Sequence, residues 1–256
     1  MFMDHWLARQ VGKFLDKPLL RFYGWQPSCI SLGYHQNAFD VSHDLCMQQG
    51  IDVVRRPTGG RAILHAEELT YSVIYPYQDL DISDFYRLIH VPFILALKKM
   101  KVSASFEASQ ADFRNIYRTD RAFLCFASSA KFEVKISGKK LIGSAQRVYE
   151  HAILQHGSLL LGSQHEKLVD FLNLPESRKI KMKQYIRDHT TNVWAYQPDM
   201  DIQPLANEIR EQFTGQYGIN FQELHRNRRL TEEIENLFNY REFSIVKNSV
   251  EKIKSA

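Results

Sequence analysis

The segment RRPTGGRAILH, from Arg55 to His65, joins paired arginines, a proline turn and two adjacent glycines to the start of an apolar run. Gly59 and Gly60 lack a Cβ, so the backbone there can take positive φ and come close to a bound group, while Arg55 or Arg56 can offer forked donors to a carboxylate or phosphate. In isolation two descriptions fit: the lip of a pocket, and an ordinary glycine turn with surface arginines. It is not a phosphate-binding P-loop, because no GK[ST] follows the glycines.

Upstream, Trp6, Leu7, Val11, Phe14 and Leu15 recur at helical spacing between Met3 and Lys17, and the LLRFYGW that follows is rich in strand formers. CISLGY (29–34) and LTYSVIYP (69–76) are further β-like runs, with a polar helical stretch near Val41 to Gln49 between them, so the Arg55–His65 segment lies on a loop feeding the strand at 69–76. Downstream, DISDFYRLIHVPFILALKKMK (81–101) predicts an amphipathic scaffold helix with acids near its start and lysines at its end, matching the helix dipole. FEVKISGKKLIGSAQR predicts a hairpin turning at Ser137 and Gly138, and HAILQHGSLLLG a further strand. Beyond residue 163 the pattern becomes helical: HEKLVDFL, PLANEIREQF with Pro204 suited to a first turn, and TEEIENLF with Thr231 as N-cap. The expected architecture is α+β, a mixed or antiparallel β-sheet with packed helices. Residues 1–256 read as one catalytic domain, and a small helical C-terminal subdomain over about 164–256 is compatible with the pattern.

Composition narrows the class. A chain of 256 residues with 44% hydrophobic and 12% aromatic residues supplies a core without staples. Cys29, Cys46 and Cys125 are odd in number and show no CxxC spacing, which points away from disulfides and metal and toward a reducing cytoplasm. The N-terminal MFMDHWLARQ lacks the apolar stretch of a signal peptide, and no apolar run approaches the ~18–20 residues of a membrane span. The net charge of +4, from 33 basic and 29 acidic residues mixed along the chain, is too balanced for nucleic-acid binding. It suits an acidic protein partner or ordinary solubility.

Two further groups carry candidate chemistry. In GKKLIGSAQR (138–147), the small residues Gly143, Ser144 and Ala145 permit close approach, and Lys140, three positions before Gly143, either points toward the same space or belongs to a solvated turn. Gln155, His156, Gly157 and Ser158 follow on the next strand. Cys125, within AFLCFASSAKF, is either an inert core thiol or a nucleophile whose pKa is lowered by a nearby ammonium such as that of Lys140.

In their joint order, LRFYGWQPSCISLGYHQN, RRPTGGRAILHAEELTYSV, CFASSAKFEVKISGKKLIGSAQR and ILQHGSLLL resemble the lipoate-protein ligase and octanoyltransferase superfamily, whose fold is shared with biotin protein ligases. Ligases of that superfamily read TGGGAV where this chain has TGGRAI, so Arg61 stands in place of a third glycine and weakens an ATP-dependent reading. The blocks look most like the cysteine-dependent octanoyltransferases. That resemblance implies Cys125 as nucleophile and Lys140 as the active-site lysine. It implies that Arg56, Gly59, Gly60, Arg61 and His65 form the acyl tunnel and its mouth, with His156 and Gly157 behind, and that the Gly143, Ser144, Ala145 strand borders the reacting carbonyl. The donor it implies is octanoyl-phosphopantetheine carried by acyl carrier protein, with no other cofactor and no metal. The implied acceptor is a lipoyl-domain protein, such as the glycine-cleavage H protein or the E2 of a 2-oxoacid dehydrogenase, and the enzyme is expected to be a cytoplasmic monomer with no nucleic-acid or membrane partner. The alternatives are an ATP-dependent lipoate-protein ligase, an octanoyl amidotransferase acting between lipoyl domains, and a catalytically silent binding module.

Overall fold

The computed structural model describes residues 1–11, 13, 16–76, 81–108 and 132–223. Helix α1 (Phe2–Gln10) precedes β1 (Leu19–Tyr23) and β2 (Cys29–Leu32), followed by α2 (His43–Gln48), β3 (Asp52–Arg55), β4 (Ile63–His65) and β5 (Glu68–Pro76). The long α3 (Ile82–Lys99) leads to β6 (Ser105–Ala108), β7 (Phe132–Ile136), β8 (Lys139–Val148) and β9 (Ala152–Leu160). A 3-10 stretch (Gln164–Phe171) and helices α4 (Glu176–His189) and α5 (Ile202–Tyr217) follow.

The strands form two sheets. The larger is antiparallel throughout, in the order β1-β5-β9-β8-β7-β6. The smaller, β3-β2-β4, is mixed: β2 runs parallel to β3 and antiparallel to β4. The β7–β8 hairpin turns where the sequence predicts it, with Ser137 at φ 50° and Gly138 at φ 79° between the paired Ile136 and Lys139, the two positive φ values of a tight two-residue turn.

Strand β5 shows why the layers stack as they do. Its alternate residues Leu69, Tyr71 and Val73 join the main core with Phe85, Ile89, Phe93 and Leu97 of α3 and Leu205, Ile209 and Phe213 of α5. The intervening Glu68, Thr70 and Ser72 are buried as well, which requires a second layer on that face. The small sheet supplies it. Its own far side, with Ile30, Leu32, Val53 and Leu64, packs on Leu168, Val169 and Phe171 of the 3-10 stretch and on Met182 and Ile186 of α4.

Helix α3 begins on Asp81, whose carboxylate accepts from the amides of Ser83 and Asp84, and ends on Lys98 and Lys99. Pro92 stands inside it. Lacking an N–H, Pro92 cannot bond the Leu88 carbonyl four residues earlier, and the Tyr217 phenol of α5 donates to that oxygen at 2.6 Å instead.

Several elements differ from expectation. HEKLVDFL is a 3-10 stretch, and β3, β4 and β6 are strands of three or four residues, too short for period-two alternation to reveal them. Helix α4 was not expected because its lysine-rich sequence buries only Met182 and Ile186, one turn apart. The helices after residue 164 share their apolar contacts with the two sheets. TEEIENLF with Thr231 lies outside the described residues. No helix among the described residues is long and apolar enough to cross a membrane.

Candidate active site

Between the two sheets lies a small pocket with about 20 Å³ of enclosed space. Thr70 of β5, His156 and Ser158 of β9, Gly143 and Ala145 of β8, and Ile63 and His65 of β4 line it, together with Met1, Arg56, Ser144 and Gly157. Strand register explains the grouping. Ser158 sits opposite both Thr70 and Gly143, and His156 opposite both Ser72 and Ala145, so small side chains on β8 leave space beside polar ones on β5 and β9. The predicted residues Arg56, His65, Gly143, Ser144, Ala145, His156 and Gly157 are thus brought to one cavity.

The Arg55–His65 segment is held mainly by its own arginines. Arg55 Nη1 donates to the carbonyls of Gly33, Tyr34 and Gln36 at 2.7–2.9 Å. Arg56 donates through Nη2 to Gly59 and Arg61 at 2.8 and 2.7 Å, through Nε to Gly59 at 3.1 Å, and through Nη1 to the Ser31 carbonyl at 3.0 Å. The forked donors of both arginines close on backbone carbonyls of this loop, of β2 and of the chain after it. Gly60 has φ 91°, and its carbonyl approaches Gly33 so closely that a Cβ there would lie 1.9 Å from the oxygen. Gly60 thus makes its close approach to Gly33. From the large sheet, Arg147 Nη1 donates to Pro57 at 2.8 Å, and Thr58 Oγ1 lies 2.6 Å from His156 Nε2.

A chain of hydrogen bonds orients His65. Arg56 Nη1 donates to Ser31 Oγ at 3.3 Å, Ser31 Oγ lies 2.7 Å from His65 Nε2, and His65 Nδ1 lies 2.7 Å from Glu68 Oε1. The network assigns the proton to Nδ1, with Ser31 donating to Nε2. Trp25 stacks on the imidazole at 4.5 Å and donates from its indole to Thr70 at 2.8 Å. Thr70 and Ser158 both donate to the same Glu68 oxygen. The Ser31–His65–Glu68 order is that of a hydrolase triad, but Ser31 is wholly buried and does not line the pocket, so it orients the ring and attacks nothing. Burial pushes the His156 imidazole down to about 3, which leaves it neutral.

Lys140 is no solvated turn residue. It is buried, with Nζ 2.8 Å from Glu133 Oε1, while Lys135 Nζ lies 3.3 Å from the other carboxylate oxygen. It sits three residues before Gly143 on β8, outside the lining of this pocket. Cys125 and its flanking sequence lie outside the described residues. Cys29 and Cys46 are buried, and burial pushes their thiols up to about 12 and about 11.

Sequence reasoning missed Trp25, Ser31, Thr58, Glu68, Thr70 and Glu133. One signal was present: in ELTYSV, and again in FEVKI, polar residues alternate with apolar ones, placing a polar row on a face whose burial depends on a distant layer.

The lipoyl protein ligase A/B catalytic domain family matches residues 1–214. The octanoyltransferase LipM of Lysinibacillus sphaericus (strain C3-41) is 35% identical over 190 residues, covering 72% of this chain and 69% of that protein. The octanoyltransferase LipM of Clostridioides difficile (strain 630) is 34% identical over 230 residues, covering 87% of this chain and 84% of that one. Among solved structures, a lipoate-protein ligase A bound with ATP superposes with a TM-score of 0.74 at 24% identity, over 93% of this chain and 88% of that one, a likeness of fold. A bipartite lipoate protein ligase from Thermoplasma acidophilum gives the same TM-score at 23% identity, over 93% of this chain and 86% of that one. The α+β architecture expected from the sequence is that of the lipoate-protein ligase catalytic domain, and the chain belongs to the lipoyl protein ligase A/B catalytic domain family.

Proposed function

We propose that this protein transfers an octanoyl group from octanoyl acyl carrier protein, through a thioester on Cys125, to a lysine of a lipoyl-domain protein. The observation that carries the reading is the inter-sheet pocket, walled by Gly143, Ala145, Gly157 and Ile63 and bordered by a neutral His156, in a chain similar to proteins named octanoyltransferase LipM. These four residues form an uncharged stretch of wall for an alkyl chain, and Arg56, Thr70 and Ser158 place polar groups beside it. Cys125 is favoured as nucleophile because the other two thiols are buried and held protonated.

In the first step the Cys125 thiolate attacks the thioester carbonyl. A new C–S bond forms, the bond to the pantetheine sulfur breaks, and the released thiolate takes up a proton. In the second, the acceptor lysine, as free amine, attacks the acyl-enzyme carbonyl; the amide C–N bond forms, the amine proton is lost, and the Cys125 thiolate is restored. Lys140, held by Glu133 and lying on the strand that leads to Gly143, serves as the ammonium that favours the Cys125 thiolate, and backbone amides near Gly143 and Ser144 stabilise the oxyanion.

Intact-mass measurement after incubation with octanoyl acyl carrier protein, without ATP, tests this. The native chain is expected to gain one octanoyl group and Cys125→Ala none. An adduct that persists in Cys125→Ala overturns the cysteine mechanism. Acyl-adenylate formed only from free octanoate and ATP moves the assignment to a ligase.

A further inference from the structure

Behind the pocket wall, on the face of the large sheet that meets α3, Tyr71, His90 and Ser144 converge, with the Tyr86 phenol beside Ser144 and Gln155 beside Tyr71. Tyr71 Oη lies 2.7 Å from His90 Nε2 and 2.7 Å from Ser144 Oγ, and His90 Nε2 lies 3.1 Å from Ser144 Oγ. Tyr71 and His90 are wholly buried. His90 Nδ1 is 2.8 Å from the Tyr86 carbonyl, which can only accept, so Nδ1 carries the hydrogen and Nε2 is left as an acceptor. The two shorter contacts then order the hydroxyls: Ser144 donates to Tyr71, and Tyr71 donates to His90. Burial pushes the His90 imidazole down to about 4, keeping it in the neutral form this order needs.

The Tyr71 ring is also set against the neighbouring strand, since a Cβ built on Gly157 would lie 2.7 Å from Tyr71 Cε1 and 2.7 Å from its Oη. Ser144 and Gly157 are paired across β8 and β9, and both line the pocket. One phenol thus touches the back of two wall residues and is itself fixed from α3. A buried polar network of this kind is costly unless complete, and when complete it selects one arrangement of the groups it joins.

We propose that His90 is a positioning residue for the acyl pocket: through Tyr71 it holds Ser144, and with it the Gly143–Ala145 wall, in one place relative to the acyl group. The identity of the acyl group rests on the proposed function; the pinning of the wall does not. Three variants separate this from a merely structural role. Tyr71→Phe keeps the ring and removes the hydroxyl. His90→Asn retains a donor to the Tyr86 carbonyl but does not reach Tyr71, whereas His90→Gln puts an amide oxygen where Nε2 accepts. Their single-turnover rate and KM with octanoyl acyl carrier protein are measured, together with hydrogen exchange of residues 141–148 in the substrate-free protein.

Tyr71→Phe and His90→Asn are expected to lower the rate constant about tenfold or more with a smaller change in KM, as displacement of a wall at the reacting group does. Exchange over 141–148 accelerates in both, the double variant loses no more than either single one, and His90→Gln recovers most of the rate. A native rate in Tyr71→Phe and His90→Asn, with only a lower melting temperature, overturns the proposal. Should the native protein transfer no octanoyl group, the reading of function falls, while faster exchange over 141–148 in the variants still supports the pinning and unchanged exchange overturns it.

Discussion

Gly157 illustrates how little room a single residue has at this site. A Cβ there would lie 2.5 Å from the Gly143 carbonyl oxygen and 2.7 Å from the Tyr71 ring, and neither a paired backbone nor a buried phenol is free to yield. Gly157→Ala is therefore expected to destabilise the protein by about 1–3 kcal/mol, the usual cost of overpacking, read as a lower urea midpoint. An unchanged midpoint would show that β8 or Tyr71 relaxes at no cost. The family resemblance placed Gly157 behind the acyl tunnel; that the groups approaching it are Gly143 and the distant Tyr71 is set by strand register. Arg56 carries the same lesson. An arginine beside glycines reads as a ligand clamp, yet backbone carbonyls also accept from a guanidinium, and here those of Gly59 and Arg61 do so.

At the scale of elements, α3 and α5 are joined through a defect. Pro92 removes the N–H that the Leu88 carbonyl needs, and Tyr217 replaces it. Tyr217→Phe should cost about 1–2 kcal/mol, the penalty for a half-buried carbonyl losing its partner. Adding Pro92→Ala should recover much of that loss, because alanine at this position would offer its own amide to Leu88. Urea denaturation of the two single variants and the double variant measures the coupling, and strict additivity would contradict the compensation. The helix itself was legible from its acidic start, lysine end and apolar spacing. The compensation was not, since nothing near Pro92 in sequence names a phenol on another helix.

For the whole molecule, the buried imidazoles set a dependence on acid. The ordinary imidazole value is 6.5, whereas burial takes His90 to about 4 and His156 to about 3. Below about pH 6.5 the unfolded chain takes up protons at both rings that the folded protein does not, so stability falls as pH falls, until the folded values are reached. Between pH 7 and pH 5 each ring accounts for about 2 kcal/mol of loss, and His90→Gln should flatten the dependence by its share. Urea midpoints at pH 7 and pH 5 measure this; equal slopes for the native and His90→Gln proteins would remove His90 from the account. By itself the sequence determined the α+β class, the Ser137–Gly138 turn and the scaffold helix, because turns and helix ends are governed by chemistry within a few positions; that seven of the named residues share one cavity followed from the family resemblance and is seen in the fold. Only the tertiary structure decided that the strands divide into two sheets, that β5 is polar on one buried face because the small sheet covers it, that Ser31 reaches His65, and that His90 and Tyr71 stand behind Ser144. Those depend on which distant strands lie side by side, and hydrogen bonds between residues tens of positions apart leave no spacing in the chain that would reveal them.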